Sequence, residues 1–213
     1  MNRFRRLALA FCALTAGIVA VASCEAVSHR AAAPPSAADR GGKIYKQYCA
    51  ACHAGEGTGD SFRAVPALAG QRVEYLRRQI DSFSSDERHS SDMRWAFRQV
   101  SMNTPQAAAD VVSYISQLPA PKFGEADLRF EAEGKATFVA RCAGCHGMDT
   151  LGSPDGTIPS LRAQNDSYLL SRLRRFAAQG PALGVSAHAM DEHDIVAISS
   201  YLSSLKGLSA VRE

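Results

Sequence analysis

Cys-Ala-Ala-Cys-His occupies positions 49–53 of the chain, and Cys-Ala-Gly-Cys-His occupies positions 142–146. Both stretches fit the C-x-x-C-H pattern, in which two thiols one helical turn apart are followed directly by an imidazole. Such thiols can add to the two vinyl groups of one porphyrin while the imidazole binds its iron. The two stretches therefore predict two covalently bound haem c groups. Their thioether bonds fall at Cys49, Cys52, Cys142 and Cys145, and their proximal iron ligands are His53 and His146.

Paired cysteines also have three other common uses. A thioredoxin-like redox pair needs no following histidine and belongs in a βαβ unit. A zinc site would explain the cysteines but would leave each adjacent histidine to chance. Structural disulfides can form in any exported protein. The duplication and the helical context of the motif favour haem attachment over all three.

The chain contains an internal repeat. A shift of 93 residues aligns several identical or similar residues without a gap: Gly41 with Gly134, Tyr45 with Phe138, Pro66 with Pro159, Gln71 with Gln164, and Phe83 with Phe176. Further on, Tyr114 matches Tyr201 at an offset of 87. The second copy has therefore lost six residues between Phe176 and Tyr201.

Hydrophobic periodicity predicts an all-α fold, and no stretch of the sequence has the pattern of a strand. Each copy begins with a short helix that ends at the cysteines, over 40–52 and 133–145. A second helix is predicted over 73–84 and 166–178. The last helix of the first copy starts at Thr104-Pro105, an N-cap followed by proline at the first helical position, and runs to about Leu118. Its equivalent spans Asp191 to Leu205.

The same patterns divide the chain into six segments. They are a signal peptide (1–23), a flexible tether (24–39), a first domain (40–118), a linker (119–132), a second domain (133–206) and a C-terminal tail (207–213). The tether is assigned from its Ala, Pro and Ser content, and prolines in the linker end the preceding helix. Each domain is small for a self-supporting core, so a buried haem is expected to form its centre.

The N-terminal segment predicts export to the periplasm. Three arginines within the first six residues precede the apolar run Leu7–Ala22, which is the layout of a secretory signal. Val21-Ala22-Ser23-Cys24 resembles a lipobox, so Cys24 is expected to carry a lipid that anchors the protein to the membrane. Ordinary cleavage near Ala22 is the alternative. Loss of these arginines takes the formal net charge from +3 to zero, so no nucleic-acid-binding patch is expected.

The chain resembles class I cytochromes c, and its two-domain form is similar to the cytochrome c4 family. The residues that carry the resemblance are Gly41-x-x-x-Tyr45, the motif at 49–53, Pro66-Ala-Leu-Ala-Gly-Gln71, Tyr75-Leu76 and Val111 to Tyr114. The resemblance implies two tandem class I cytochrome c domains, each a small helical bundle around a covalently bound haem. It also implies that Pro66 and Pro159 lie beside the proximal histidines, where a backbone carbonyl orients each imidazole.

The resemblance further implies a methionine as the sixth iron ligand. In the first domain Met93, in the loop ahead of the last helix, is the expected ligand, with Met102 as the alternative. Met148 follows His146 too closely to reach the opposite haem face. In the second domain the expected ligand is Met190. His188 and a five-coordinate iron remain open there, because the stretch that aligns with Met93 contains no methionine.

These features predict an electron-transfer protein rather than an enzyme. The expected function is to carry single electrons between a respiratory donor, such as a dehydrogenase or a quinol-oxidising complex, and an acceptor such as a terminal oxidase. One alternative is a dedicated cytochrome subunit of a periplasmic dehydrogenase complex. Another is a peroxidase-like haem enzyme that uses an open second iron.

Overall fold

The computed structural model describes residues 34–99, 104–122, 128–179 and 188–205. Five helices form the first half: α1 (Ala37–Tyr48), α2 (Ala50–His53), α3 (Val73–Ser84), α4 (Ser91–Phe97) and α5 (Pro105–Ile115). A 3-10 turn (Leu128–Phe130) leads into the second half, with α6 (Glu131–Arg141), α7 (Ala143–His146), α8 (Asp166–Gln179) and α9 (Glu192–Ser204). The strand-like pairing found in these ranges is one isolated bridge between Asp60 and Val65. The predicted all-α fold is confirmed.

The first cysteine of each motif breaks the helix that precedes it. Helix α1 ends at Tyr48, and the separate turn α2 begins after Cys49, whose carbonyl accepts a hydrogen bond from the His53 N–H at 2.9 Å. The second motif repeats this geometry, because the Cys142 carbonyl accepts from the His146 N–H at 2.9 Å. Each motif therefore forms a helical turn of its own, which brings its thiols and its imidazole close together.

Helix α1 begins within the segment predicted as a tether. Ser36 is its N-cap, and the Ser36 Oγ accepts a hydrogen bond from the Asp39 N–H at 3.1 Å. The Asp39 carboxylate accepts in turn from the Ser36 N–H at 3.0 Å. This capping box satisfies two backbone donors that would otherwise lack partners, so the helix starts at Ala37 rather than at residue 40. The predicted tether from residue 24 to 39 is therefore too long at its C-terminal end.

The last helix of each half begins where its capping residue predicts. The Thr104 Oγ1 accepts a hydrogen bond from the Ala107 N–H at 3.1 Å, and Pro105 is the first helical residue. In the second half an Asp191 carboxylate oxygen accepts from the Asp194 N–H at 2.8 Å. Within the described ranges, no helix is both long and apolar enough to cross a membrane.

The first and last helices of each half cross at a glycine. A Cβ atom at Gly41 would lie 1.8 Å from the Asp110 carbonyl oxygen on α5, and one at Gly134 would lie 1.8 Å from the Ala197 carbonyl oxygen on α9. One turn further on, a buried aromatic ring fills each crossing. Tyr45 packs against Tyr114 with ring centres 5.3 Å apart, and Phe138 packs against Tyr201 at 5.5 Å. The repeat seen in the sequence is thus a repeat of helix packing.

The two halves meet through reciprocal hydrogen bonds from a pair of buried glutamines. The Gln71 side-chain amide donates to the Ser160 carbonyl and accepts from the Ser160 N–H, both at 2.9 Å. Gln164 makes the same two bonds to the backbone of Ala67, at 2.8 and 3.1 Å. Ala67 and Ser160 are themselves related by the offset of 93. The interface therefore has an approximate twofold symmetry.

A second interface contact pairs the residues that follow the glutamines. The Arg72 guanidinium donates to the Leu151 carbonyl at 2.6 Å, and the Asn165 amide donates to the Val65 carbonyl at 2.8 Å. Because backbone carbonyls in loops of one half are bonded by side chains from the other, the two halves are held in one relative orientation.

Replacement of Gly41 by alanine is expected to force α1 and α5 apart. Overpacking of this kind costs about 1–3 kcal/mol of unfolding free energy, measured by chemical denaturation of the holoprotein. Gly55→Ala is the matched control, because no atom lies within 4 Å of the position its Cβ would occupy. Equal stability of the two variants would contradict the close crossing.

Gln71→Ala and Gln164→Ala are each expected to weaken the interface between the halves. Each variant leaves one backbone N–H and one carbonyl of the opposite half without a partner, and it also removes the acceptor of the N–H that follows the glutamine. The loss costs about 2 kcal/mol in denaturation experiments. Gln117→Ala, at an exposed residue after α5, is the control and should change stability by less than about 0.5 kcal/mol. An interface variant that matches this control would show that these bonds add nothing to stability.

Candidate functional site

The histidine of each motif is buried and held by a proline carbonyl. His53 Nδ1 lies 3.0 Å from the Pro66 carbonyl oxygen, and His146 Nδ1 lies 3.1 Å from that of Pro159. A carbonyl oxygen can only accept, so Nδ1 carries the hydrogen and the lone pair of Nε2 is free for a metal. The expected placement of both prolines beside the motif histidines is confirmed.

Two glycines allow the loops that carry these prolines to turn back. Gly59 has a φ of 77°, and its N–H donates to the His53 carbonyl at 3.0 Å. Gly152 has a φ of 69° and donates to the His146 carbonyl at 2.9 Å. A side chain at either position would be strained by the positive φ, and its Cβ would approach a backbone oxygen within 2.4 Å.

Burial also sets the protonation state of the reactive groups. Desolvation lowers the pKa of both His53 and His146, and the hydrogen bond to the proline opposes this effect only in part. The neutral imidazole that this favours is the form that binds metals. Burial raises the pKa of the Cys49 thiol to about 11 and also raises the pKa of the Cys142 thiol. Both thiols are therefore protonated at neutral pH.

None of the four motif cysteines forms a disulfide, so the disulfide alternative is not realised. Cys49 and Cys142 are half-buried beside the helix core, whereas Cys52 and Cys145 are exposed. Across the described part of the chain, no group of three or more His, Cys, Asp and Glu residues could hold a metal ion. In this region a zinc site therefore lacks the ligands it would need.

The sequence predicts Met93 in a loop, but the structure places it on helix α4. The Ser90 Oγ caps this helix by accepting from the Met93 N–H at 3.4 Å. The Met93 side chain is partly buried against the core of the first half, which includes Tyr45 and Phe97, with Cys49 at its edge. Met102, the alternative ligand, lies outside the described residues.

In the second half Met190 and His188 occupy different surroundings. Met190 directly precedes the α9 cap and packs against the core around Phe138 and Leu202. The His188 ring stacks on Phe176, with ring centres 4.9 Å apart, and lies 6.3 Å from the His146 ring. Met148 is 67% exposed, in accord with its exclusion as a ligand.

Each half stacks an arginine on the phenylalanine of its middle helix. Arg88 lies 4.6 Å above the Phe83 ring, and Arg172 lies 4.6 Å above the Phe176 ring. Arg88 also donates to the Tyr168 hydroxyl of the other half at 3.1 Å. Positive charge therefore gathers where the two halves meet, and burial lowers the pKa of Arg172.

The donor sets of both halves fit haem c. Each combines two thiols one turn apart with a buried imidazole whose Nδ1 is bonded and whose Nε2 is free. When bound, haem supplies a reversible one-electron change at its iron. The cysteines of each motif would hold the haem covalently, and the buried imidazoles of His53 and His146 would bind its iron.

The cytochrome c family model matches residues 38–119 and 131–206, which is most of the chain. The chain belongs to the cytochrome c family. Both matched ranges contain one C-x-x-C-H motif, so the family model matches each half separately.

Known relatives and a solved structure agree with this assignment. Cytochrome c4 from Pseudomonas aeruginosa is 27% identical over 179 residues, covering 77% of this chain and 87% of that protein. A thiosulfate dehydrogenase electron acceptor from Stutzerimonas stutzeri is 28% identical over 190 residues, covering 78% and 86%. The crystal structure of reduced recombinant cytochrome c4 from Pseudomonas stutzeri superimposes with a TM-score of 0.66, at 24% identity, over 81% of this chain and all of that one.

The protein is a diheme class I cytochrome similar to cytochrome c4, and it has two covalently bound haem c groups. Its function is electron transfer. The sequence analysis did not assign the reciprocal bonding of Gln71 and Gln164. Their recurrence at the offset of 93, in a segment with no helical periodicity, was the one signal that could have revealed it.

Proposed function

We propose that this diheme cytochrome is a periplasmic electron carrier, anchored by a lipid at Cys24, which takes single electrons from a respiratory donor and delivers them to an acceptor such as a terminal oxidase. The observation that carries the proposal is the buried polar interface between two complete haem-binding halves. It keeps both halves in one orientation, so an electron received in one half can pass to the other within the same molecule.

In this proposal Cys49 and Cys52 hold the first haem and Cys142 and Cys145 hold the second. His53 and His146 are the proximal ligands, because each presents a free Nε2 from a buried, oriented ring. Met93 is the sixth ligand of the first iron. Met93 packs against the core that contains Tyr45, and Cys49 packs against the same core. This nearness to the proposed attachment site supports the role.

The carrier proposal is tested by mass analysis and redox titration of the purified holoprotein. We expect the mass of the processed chain plus two haems, and two one-electron steps in the titration. Oxidation of a donor in the presence of peroxide should show no turnover, since the protein is proposed to be a carrier and not an enzyme. Catalytic turnover with peroxide would instead support a peroxidase-like function.

A dedicated subunit of a dehydrogenase complex is the second candidate. It is supported by the likeness to a relative that is named as the electron acceptor of thiosulfate dehydrogenase. Purification from the native membrane under gentle conditions separates the two. A stable, stoichiometric complex with one dehydrogenase would favour the subunit, whereas a free cytochrome that several partners oxidise or reduce would favour the carrier.

Met93→Leu is expected to remove the methionine-to-iron charge-transfer band of the first haem and to lower its reduction potential, because thioether ligation favours the reduced iron. The spectrum of the oxidised protein and a redox titration measure both effects. Met148→Leu is the matched control, since its exposed side chain should leave the spectrum unchanged. An unaltered band in Met93→Leu would point to Met102 as the ligand.

Cys24→Ser is expected to release the protein from the membrane into the soluble periplasmic fraction. The measurement is fractionation of cells that express the full chain, together with the mass of the mature N-terminus. Cys12→Ser, within the signal, is the control and should remain in the membrane fraction. If Cys24→Ser fractionates like the unaltered protein, Cys24 is not lipidated and ordinary cleavage near Ala22 applies.

A further inference from the structure

We propose that His188, and not Met190, is the sixth ligand of the second iron, so that this haem has two histidine ligands. The inference rests on the proposed attachment of the second haem at Cys142 and Cys145. It would make the two centres chemically different within one molecule, one with histidine and methionine and the other with two histidines.

The separation of the two imidazole rings carries the argument. When two imidazole nitrogens bind one metal, each lies about 2 Å from it with its ring centre about 1 Å further back, so the ring centres are about 6 Å apart. The centres of His146 and His188 are 6.3 Å apart. The distance is therefore the one that two axial ligands of a single iron require.

The ring orientations are compatible with shared coordination. An axial imidazole plane contains its own metal–nitrogen bond, so two such planes can be rotated about that axis to any mutual angle. The planes of His146 and His188 are inclined at 66°. His146 Nδ1 is already bonded to the Pro159 carbonyl, which leaves His146 Nε2 for the iron.

The surroundings of His188 are consistent with its binding to a metal. Stacking on Phe176, with planes inclined by 21°, fixes the direction of its ring. His188 Nδ1 is inaccessible to solvent and has no hydrogen-bond partner among the protein atoms. A buried polar nitrogen without a partner is costly, and coordination of Nδ1 to a metal would remove that cost.

Comparison with the first half separates this arrangement from ordinary packing. There Phe97 stacks on Phe83, which is the counterpart of Phe176 at the offset of 93, with ring centres 6.3 Å apart. In the described residues of the first half, no ring contact joins Phe97 to His53. In the second half, by contrast, the ring stacked on the phenylalanine is the imidazole of His188, and it also contacts the motif histidine His146.

Met190 has a structural role that accounts for its position. It is the residue immediately before Asp191, the N-cap of α9, where an apolar side chain commonly packs against the start of its helix. Its side chain contacts the core of the second half. The expectation of Met190 as ligand supposes that the loss of six residues draws it towards the iron, whereas packing explains its position without the iron.

Unequal ligands would favour electron transfer between the two haems in one direction. Methionine ligation raises the reduction potential relative to histidine, so the second haem would have the lower potential of the two. An electron that enters through the second half would then move energetically downhill to the first. The second half would face the donor and the first half would face the acceptor.

The test is the spectroscopy of the oxidised holoprotein, after its mass has shown two haems. We expect a methionine-to-iron charge-transfer band of half the intensity per haem that two methionine-ligated irons would give, with both irons low-spin. Met190→Leu should leave the band and both potentials unchanged. His188→Ala should convert one haem to high-spin, and added imidazole should restore the low-spin signal. His193→Ala, at an exposed histidine on α9, is the control.

Several outcomes would overturn the inference while leaving the proposed function intact. These are a full-intensity band that Met190→Leu halves, a high-spin second haem in the unaltered protein, or two low-spin haems in His188→Ala without imidazole. A mass with fewer than two haems would instead overturn the proposed attachment itself.

Discussion

In each half of this cytochrome, one hydrogen bond joins the motif histidine to a proline carbonyl in the loop that follows. The bond determines which ring nitrogen carries hydrogen, and so which nitrogen is available to the iron. It requires a buried imidazole, a loop that turns back on itself and a helix that ends at the first cysteine. The positive φ of Gly59 and Gly152 and the separate turns α2 and α7 all serve this geometry.

Duplication has preserved the proximal side and the interface but not the distal side. The glutamines at the interface bond to each other's half in the same way, and both helix crossings use a glycine followed by an aromatic ring. In the first half Met93 lies on the separate helix α4. The second half has lost six residues, and there His188 lies beside the motif histidine His146. If Met93 and His188 bind the two irons as proposed, the duplicated scaffold holds two centres of different potential.

Local features were predictable where the controlling groups lie close together in the chain. The N-cap Thr104 is predictable because a capping residue bonds to a backbone N–H only three positions away. Helix α4 was missed, since its seven residues are too few to show a periodic pattern. The start of α1 was placed too late, because the alanine and proline content of the tether concealed the capping box at Ser36.

The sequence by itself determined that two haems are bound, and it predicted where. All the reactive groups of a C-x-x-C-H motif lie within five residues, and one helical turn supplies their spacing. The offset of 93 showed in addition that the two sites belong to repeated domains. Only the tertiary structure decided how the halves face each other and which ring lies beside His146. Those contacts join residues separated by whole helices and loops, so their distances depend on the complete path of the chain rather than on any local spacing.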